Sequence, residues 1–317
     1  MSDRLATLAH EAEVAAARPR GLSFVLDSPR WLGPLMIGPA VLYIVLVVGL
    51  PFVLAILYAF SDVSMGHRAL DFVGFRNFAS VLGTPKFQTA LKNTFVFAIT
   101  SQVLVMVLGT VLALALIRDF RGKWLVRLLI LLPWVAPISL GTIGWLWILD
   151  STYSVLNWTL EALGLITNEG WLMWLGIPRL AMGSVIVIHV WRILPLATVI
   201  LLAGLTSIPH DILDAAQMDG AGFWRRLFQV TLPLIRPIML VAGLFGLVFA
   251  FTDMIVIFVL TRGGPYDTTQ VLASLAFFTG IQGGDLAEGA AVALFLFPLL
   301  VAVAIGFLRV ARRSEVT

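Results

Sequence analysis

The sequence predicts an all-α integral membrane protein with six transmembrane helices and both termini on the cytoplasmic side. Three observations point there. Of 317 residues, 60% are hydrophobic and 12% charged, against about a quarter charged in an average soluble domain. Apolar runs recur at the roughly 20-residue length that a helix needs to cross the hydrocarbon core. Lysine and arginine concentrate in alternate connections between those runs. Too few charges remain to coat a water-facing surface, which excludes a soluble enzyme, a disordered chain and a nucleic-acid reader. Cysteine is absent, so disulfides, thiolate metal sites and cysteine nucleophiles are excluded as well.

Taken in order, residues 1–30 read as a cytoplasmic N-terminal segment. Within it the Ala-rich stretch Leu5 to Ala17 is either a short surface helix or a frayed tail. The apolar run that follows starts late and is too long for a signal peptide, so it reads as an uncleaved first span. The transmembrane domain covers 31–309, with spans at about 31–60, 93–117, 128–149, 180–205, 238–260 and 289–308. Four of these carry no charged residue; 180–205 contains Arg192 and 238–260 contains Asp253. The runs are apolar all round and lack the ten-residue alternation of barrel strands. Residues 310–317 form a cytoplasmic tail.

With both ends inside, the inner segments hold fourteen of the 21 Lys and Arg, the outer segments six, and Arg192 lies within a span. The outer connections, 61–91, 150–179 and 261–288, are moderate in length. Trp31, Trp124, Trp171 and Trp174 fall near predicted span ends and read as an interfacial aromatic belt.

The inner connection 207–237 is longer than a linker requires. Pro209 suits the first turn of a helix, and Asp211 and Asp214 sit where the helix dipole favours carboxylates. Ile212, Ala215 and Ala216 recur at helical spacing. Gly220 and Gly222 end or bend that helix. A second amphipathic stretch follows, with Phe223, Leu227 and Val230 on one side and Arg225 and Arg226 near the other. The physical reading is a compact protrusion that docks another protein, or a hairpin lying on the bilayer.

The residues of this insert carry a resemblance. Asp214-Ala215-Ala216, then Asp219-Gly220-Ala221, then Leu232-Pro233 resembles the EAA loop of ABC importer permeases. Phe72 to Phe78 (FVGFRNF), Arg118 to Pro133 and Leu260 to Pro265 (LTRGGP) resemble further segments of the sugar-type branch that handles maltose and glycerol phosphate. The match covers most of residues 31–309 in the expected order. Asp214 stands where the motif has glutamate, and Arg262 where glycine is common. The resemblance implies the type I importer permease fold in a bacterial cytoplasmic membrane. It also implies a second homologous permease subunit, two copies of an ATP-binding subunit and an extracytoplasmic solute-binding protein as partners. Asp214, Ala215, Ala216, Met218, Asp219, Gly220 and Ala221 are, by the same resemblance, the positions that dock on the ATPase. The implied cargo is a sugar or sugar-like solute, with glycerol phosphate or another polyol derivative as the alternative. The chain has no GxxxxGK[ST] string, so ATP and Mg are expected on the partner and no cofactor on this chain.

Ionisable residues inside a membrane cost about 2.5–3.5 kcal/mol each on insertion scales and so mark a cavity or a partner. Counted at about 1.5 Å per residue, Arg192 lies roughly 16 Å and Asp253 roughly 10 Å below the outer surface. His189 shares a helix face with Arg192. These three line the translocation path, or form a structural pair within the chain or with the second permease, or snorkel towards the membrane surface. Trp145, Trp147 and Trp191 are candidates for stacking on sugar rings or for packing between spans.

A self-contained secondary carrier is the competing class. Intramembrane acids are sparse, and that reading leaves 207–237 without a purpose. An enzyme is disfavoured: His10, His67, His189 and His210 are scattered, HExxH and GxSxG strings are absent, and neither a catalytic residue nor a metal site is expected.

Overall fold

A computed structural model describes residues 29–67, 69–167 and 170–314. The Ala-rich stretch Leu5 to Ala17 lies outside the described residues. The chain divides into two compact units, Met1–Ile56 and Leu57–Thr317. The described part of the first is helical: α1 (Pro29–Ile44), a π-helical turn (Val45–Gly49) and the start of α2 (Leu50–Ala59).

In the second unit the helices begin and end where local chemistry dictates. A two-stranded hairpin, Ser61–Asp62 against Asp71–Phe72, leads into α3 (Arg76–Leu82). Buried Asn77 ties this segment together by donating to the carbonyls of Ala59 and Ser61 at 3.0 and 2.8 Å. Thr84 then caps α4 (Pro85–Ile117): its hydroxyl accepts from the Phe87 amide, and Pro85 occupies the first turn, where a missing N–H is harmless. The helix is 33 residues long, so it starts eight residues before the predicted 93–117. Gly122 at φ +82° starts α5 (Lys123–Val135).

The predicted span 128–149 is not one straight helix. Ala136 is extended, as the residue before a proline prefers, and α5 meets α6 (Ile138–Ile148) at 99°. After α7 (Val155–Ala162), the Pro178–Thr206 helix, α8, runs unbroken through Pro195. The predicted 238–260 is also divided. Helix α12 (Arg236–Thr252) stops at Asp253, and α13 (Ile255–Leu260) begins anew. Between α8 and α12 lie the short helices α9 (His210–Met218), α10 (Phe223–Arg226) and α11 (Leu232–Leu234), with a π-helical turn at Leu227–Thr231. The outer connection 261–288 is more than a loop. It folds as α14 (Leu272–Phe277) and a π-helical turn (Phe278–Gln282) against α15 (Leu286–Ser314), which outruns the predicted 289–308 and takes in most of the expected tail.

Among the described residues four helices are long and apolar enough to cross a membrane: Leu32–Ala59, Pro85–Ile117, Pro178–Thr206 and Leu286–Val310. Two bent pairs, Lys123–Val135 with Ile138–Ile148 and Phe223–Leu234 with Arg236–Thr252, raise the number to six if each counts as one span. Helix α8 is the centre of the second unit. It packs along α4 and also meets α5, α12 and α13, and its inward face supplies Val185, Ile188, Ile193 and Ala197 to the core around Phe97 and Phe251.

Where helices come closest, glycine makes room. A Cβ added at Gly289 would lie 2.3 Å from the Gly280 Cα, so α15 and the π-helical turn touch backbone to backbone. Gly289→Ala should therefore force the two elements apart and destabilise the protein by about 1–3 kcal/mol. Gly306→Ala, on the same helix with nothing within 4 Å, should be close to neutral. Thermal unfolding in detergent, followed by the monodisperse fraction, checks the pair; equal stability of the two variants would refute the close approach.

Candidate coupling hairpin and intramembrane carboxylate

The 207–237 insert forms the two-helix hairpin that its residues predict. Asp211 lies in the first turn of α9, at the positive end of the helix dipole. The helix ends in a Schellman arrangement. The amide of Ala221 donates to the Ala216 carbonyl and that of Gly220 to Gln217, both at 3.0 Å, with Gly220 at φ +74°. Gly222 then precedes α10. Arg226 Nη1 donates to Gln217 Oε1 at 2.9 Å across the two arms.

The inward face of α9 is carried by Leu213, packed on the cluster of Leu201, Leu205, Ile208 and Ile235. Ile212, of the predicted apolar face, is 39% exposed instead. Of the predicted docking residues, Asp214, Ala215, Asp219 and Gly220 are exposed and Ala216 and Ala221 half-buried. Met218 is 88% exposed. The hairpin thus presents two carboxylates, a small alanine and a bare thioether outward, held on a closed backbone.

The second constellation lies at the break of α12. Asp253 Oδ2 is 2.6 Å from His189 Nδ1 and 3.0 Å from Arg192 Nη2, and Oδ1 accepts from the Val256 amide at 3.3 Å. An ionised carboxylate only accepts, so His189 Nδ1 carries the hydrogen. His189 and Asp253 are buried, and their side chains are each 1% exposed; that of Arg192 is 16% exposed. The same carboxylate therefore caps α13 and binds α8 to α12. Phe97 closes the other side, its ring edge-on to His189 at 4.8 Å. The Nε of Arg192 is buried without a hydrogen-bond partner. Trp145 packs edge-on against Trp191, centroids 5.6 Å apart, while Trp147 is 69% exposed.

Several polar residues that sequence reasoning passed over turn out to organise the membrane core. Gln102 is buried in α4 with Nε2 unpartnered, and a Cβ at Gly246 of α12 would fall 2.0 Å from its Oε1. Asn93 donates to the carbonyls of Thr268 and Gln270, and the Thr94 hydroxyl accepts from Leu272, so α4 anchors the 261–271 loop. Two of the predicted belt tryptophans also make local ties: Trp171 Nε1 donates to Glu161 and Trp174 Nε1 to buried Asn157, joining both to α7. Trp124 stays exposed. A single amide lowers a long hydropathy window only slightly and adds no charge, and nothing in the sequence pairs Gln102 with Gly246 on another helix. Among the described residues, no three of His, Asp and Glu come together as a metal site.

Apolar helices pack around a buried ion pair, with a two-armed hairpin between α8 and α12, and the sequence relatives place that frame among the membrane-embedded permeases of ABC importers. The chain belongs to the family described as binding-protein-dependent transport system inner membrane component, which matches residues 105–314. It is 30% identical over 286 residues to a probable ABC transporter permease protein of Brucella suis, covering 90% of this chain and 98% of that one. It is 34% identical over 241 residues to the trehalose/maltose transport system permease protein MalF of Thermococcus litoralis, covering 76% and 80%. Its fold matches a chain of a bacterial ABC transporter involved in the import of the acidic polysaccharide alginate, with TM-score 0.78 and 22% identity over 89% of this chain and 96% of that one.

Removing the shared carboxylate leaves a histidine and an arginine buried without their acceptor. Asp253→Ala should lower stability by about 3–5 kcal/mol, read as a fall in unfolding temperature in detergent. An unchanged unfolding temperature with impaired uptake would instead place Asp253 on the path of the solute.

Proposed function

We propose that this chain is one of two homologous permease subunits of an ATP-driven sugar importer, crossing the membrane six times with both termini in the cytoplasm. Each bent helix pair then counts as one membrane-crossing unit. The hairpin at 207–237 docks on an ATPase subunit, of which the complex has two, and ATP and Mg bind there. A solute-binding protein delivers the cargo at the opposite face. Relatives named for trehalose/maltose and, at 29% identity, for sulfoquinovosyl glycerol support a glycoside as cargo. A glycerol phosphate permease is not needed to account for them. An alginate transporter whose fold this chain shares was solved with a periplasmic protein carrying an alginate pentasaccharide, which supports the binding-protein partner.

The observation behind the coupling role is the hairpin itself: an exposed Asp214–Asp219 face held on a left-handed glycine. In this reading Asp214 meets a basic group of the ATPase, and closure of the ATPases moves α9. The His189–Arg192–Asp253 cluster is a clamp between α8 and α12 rather than a sugar site, because two of its three side chains are 1% exposed. Trp145 and Trp191 pack between helices in the same reading.

Purification of the tagged chain in mild detergent should recover a second permease in equal amount and an ATPase at twice that amount. A chain that purifies alone, stably and in quantity, would sink the proposal. Gly220→Arg must leave a left-handed conformation that costs non-glycine residues roughly 1–2 kcal/mol. It should insert normally yet lose the ATPase on purification, and transport should fall by about tenfold or more. Because the chain lacks cysteine, single substitutions report sidedness cleanly. A membrane-impermeant thiol reagent should label Tyr266→Cys in intact cells and Asp211→Cys only in inverted vesicles.

A further inference from the structure

A cavity of about 780 Å³ lies beside the hairpin, between the end of α4 and the arms of the insert. Its walls are apolar: Val111 and Leu114 on one side, Leu213, Phe223 and Leu227 on the other. Its mouth is basic. Arg118 directly follows α4 and makes no hydrogen bond or ion pair among the described residues. Arg226 gives Nη1 to Gln217 and meets no carboxylate among them. The acid at the mouth, Asp119, is taken by Lys123 at 3.0 Å. Trp224, 68% exposed, stands at the same rim.

The height of the cavity is also informative. Measured from Val105, the midpoint of the apolar run 93–117 in α4, Val111 lies about 9 Å along the axis, inside a hydrocarbon core about 30 Å thick. Arg118 lies about 20 Å along, just beyond its edge among the headgroups. The apolar depth therefore opens to acyl chains and the basic mouth to phosphates. A groove with apolar walls alone would take any lipid; two cations, with the one acid beside them paired to Lys123, select an anionic one.

We propose that this groove binds one anionic phospholipid of the cytoplasmic leaflet, with an acyl chain along α4 and its phosphate between Arg118 and Arg226. This rests on the cytoplasmic placement of the hairpin. The bound lipid would seat the hairpin against the helix that packs most closely on α8.

The test uses the purified complex, exchanged into nanodiscs or detergent containing either phosphatidylglycerol or phosphatidylcholine, with bound lipid counted by native mass spectrometry. The wild type should hold phosphatidylglycerol in preference. Arg118→Gln with Arg226→Gln should weaken that binding about 30-fold and leave phosphatidylcholine unchanged, while the double lysine variant should retain it. Arg225→Gln is the control, since that side chain turns to Gln229. Equal retention of the two lipids by the wild type would overturn the proposal, even if the glutamine variant failed to fold. So would full binding by the glutamine variant. Loss of the ATPase from that variant with its lipid unchanged would make the groove a protein-docking surface instead. Labelling of Asp211→Cys from outside would fail the topology independently of any lipid result.

Discussion

A carboxylate buried where a membrane helix breaks imposes the main constraint on this molecule. An unpaired charge in an apolar interior is too costly to persist, so Asp253 must find donors. It finds three: the His189 ring, the Arg192 guanidinium and the Val256 amide. The last converts a chain break into a helix start, and the first two fix the break against α8. The seam between α8 and α12, beside the core around Phe97 and Phe251, and the restart of α13 are both fixed by that one side chain.

The other polar contacts follow the same logic at lower stakes. Asn93 and Thr94 satisfy backbone groups of the 261–288 connection, and Asn157 satisfies the Trp174 indole and the Leu172 backbone. Each places a hydrogen-bonding side chain on a regular helix opposite irregular backbone. That is how non-helical chain is tolerated within a membrane protein. Glycines do the complementary work: Gly246 admits Gln102, and Gly280 and Gly289 admit each other.

Much of this was legible in the residues. Apolar runs located the long helices because a bilayer demands length and composition, both of which a window measures. The hairpin was legible because its signals are local: proline at the start, Asp211 in the first turn, glycine in the left-handed position. Gly220–Ala221 adopts the predicted stop almost residue for residue. The divisions were harder. Ala136–Pro137 and Asp253–Met254 lie inside runs apolar enough to pass as continuous spans, and hydropathy has no term for backbone direction. The helix at 272–282 is too short to register as a span. Arg192 and Asp253 were identifiable as expensive, and counting depth brought them near each other. That His189 completes the group, and that His189 and Asp253 turn away from open space, required the packing of α8 on α12.

The bend between Phe223–Leu234 and Arg236–Thr252, at 72°, gives the hairpin a mechanical advantage. Ile235, at the corner, is 1% exposed and acts as a fulcrum, with the braced hairpin as the short arm. Helix α12, at 17 residues, is a long arm of about 25 Å. Rotating it by about 5° about the corner displaces its far end by about 2 Å, more slack than the hydrogen bonds at Asp253 possess. The clamp must then either snap or drag α8 along. A small displacement of the hairpin would thereby be geared up into concerted travel of α12 and α8 at the far end of α12.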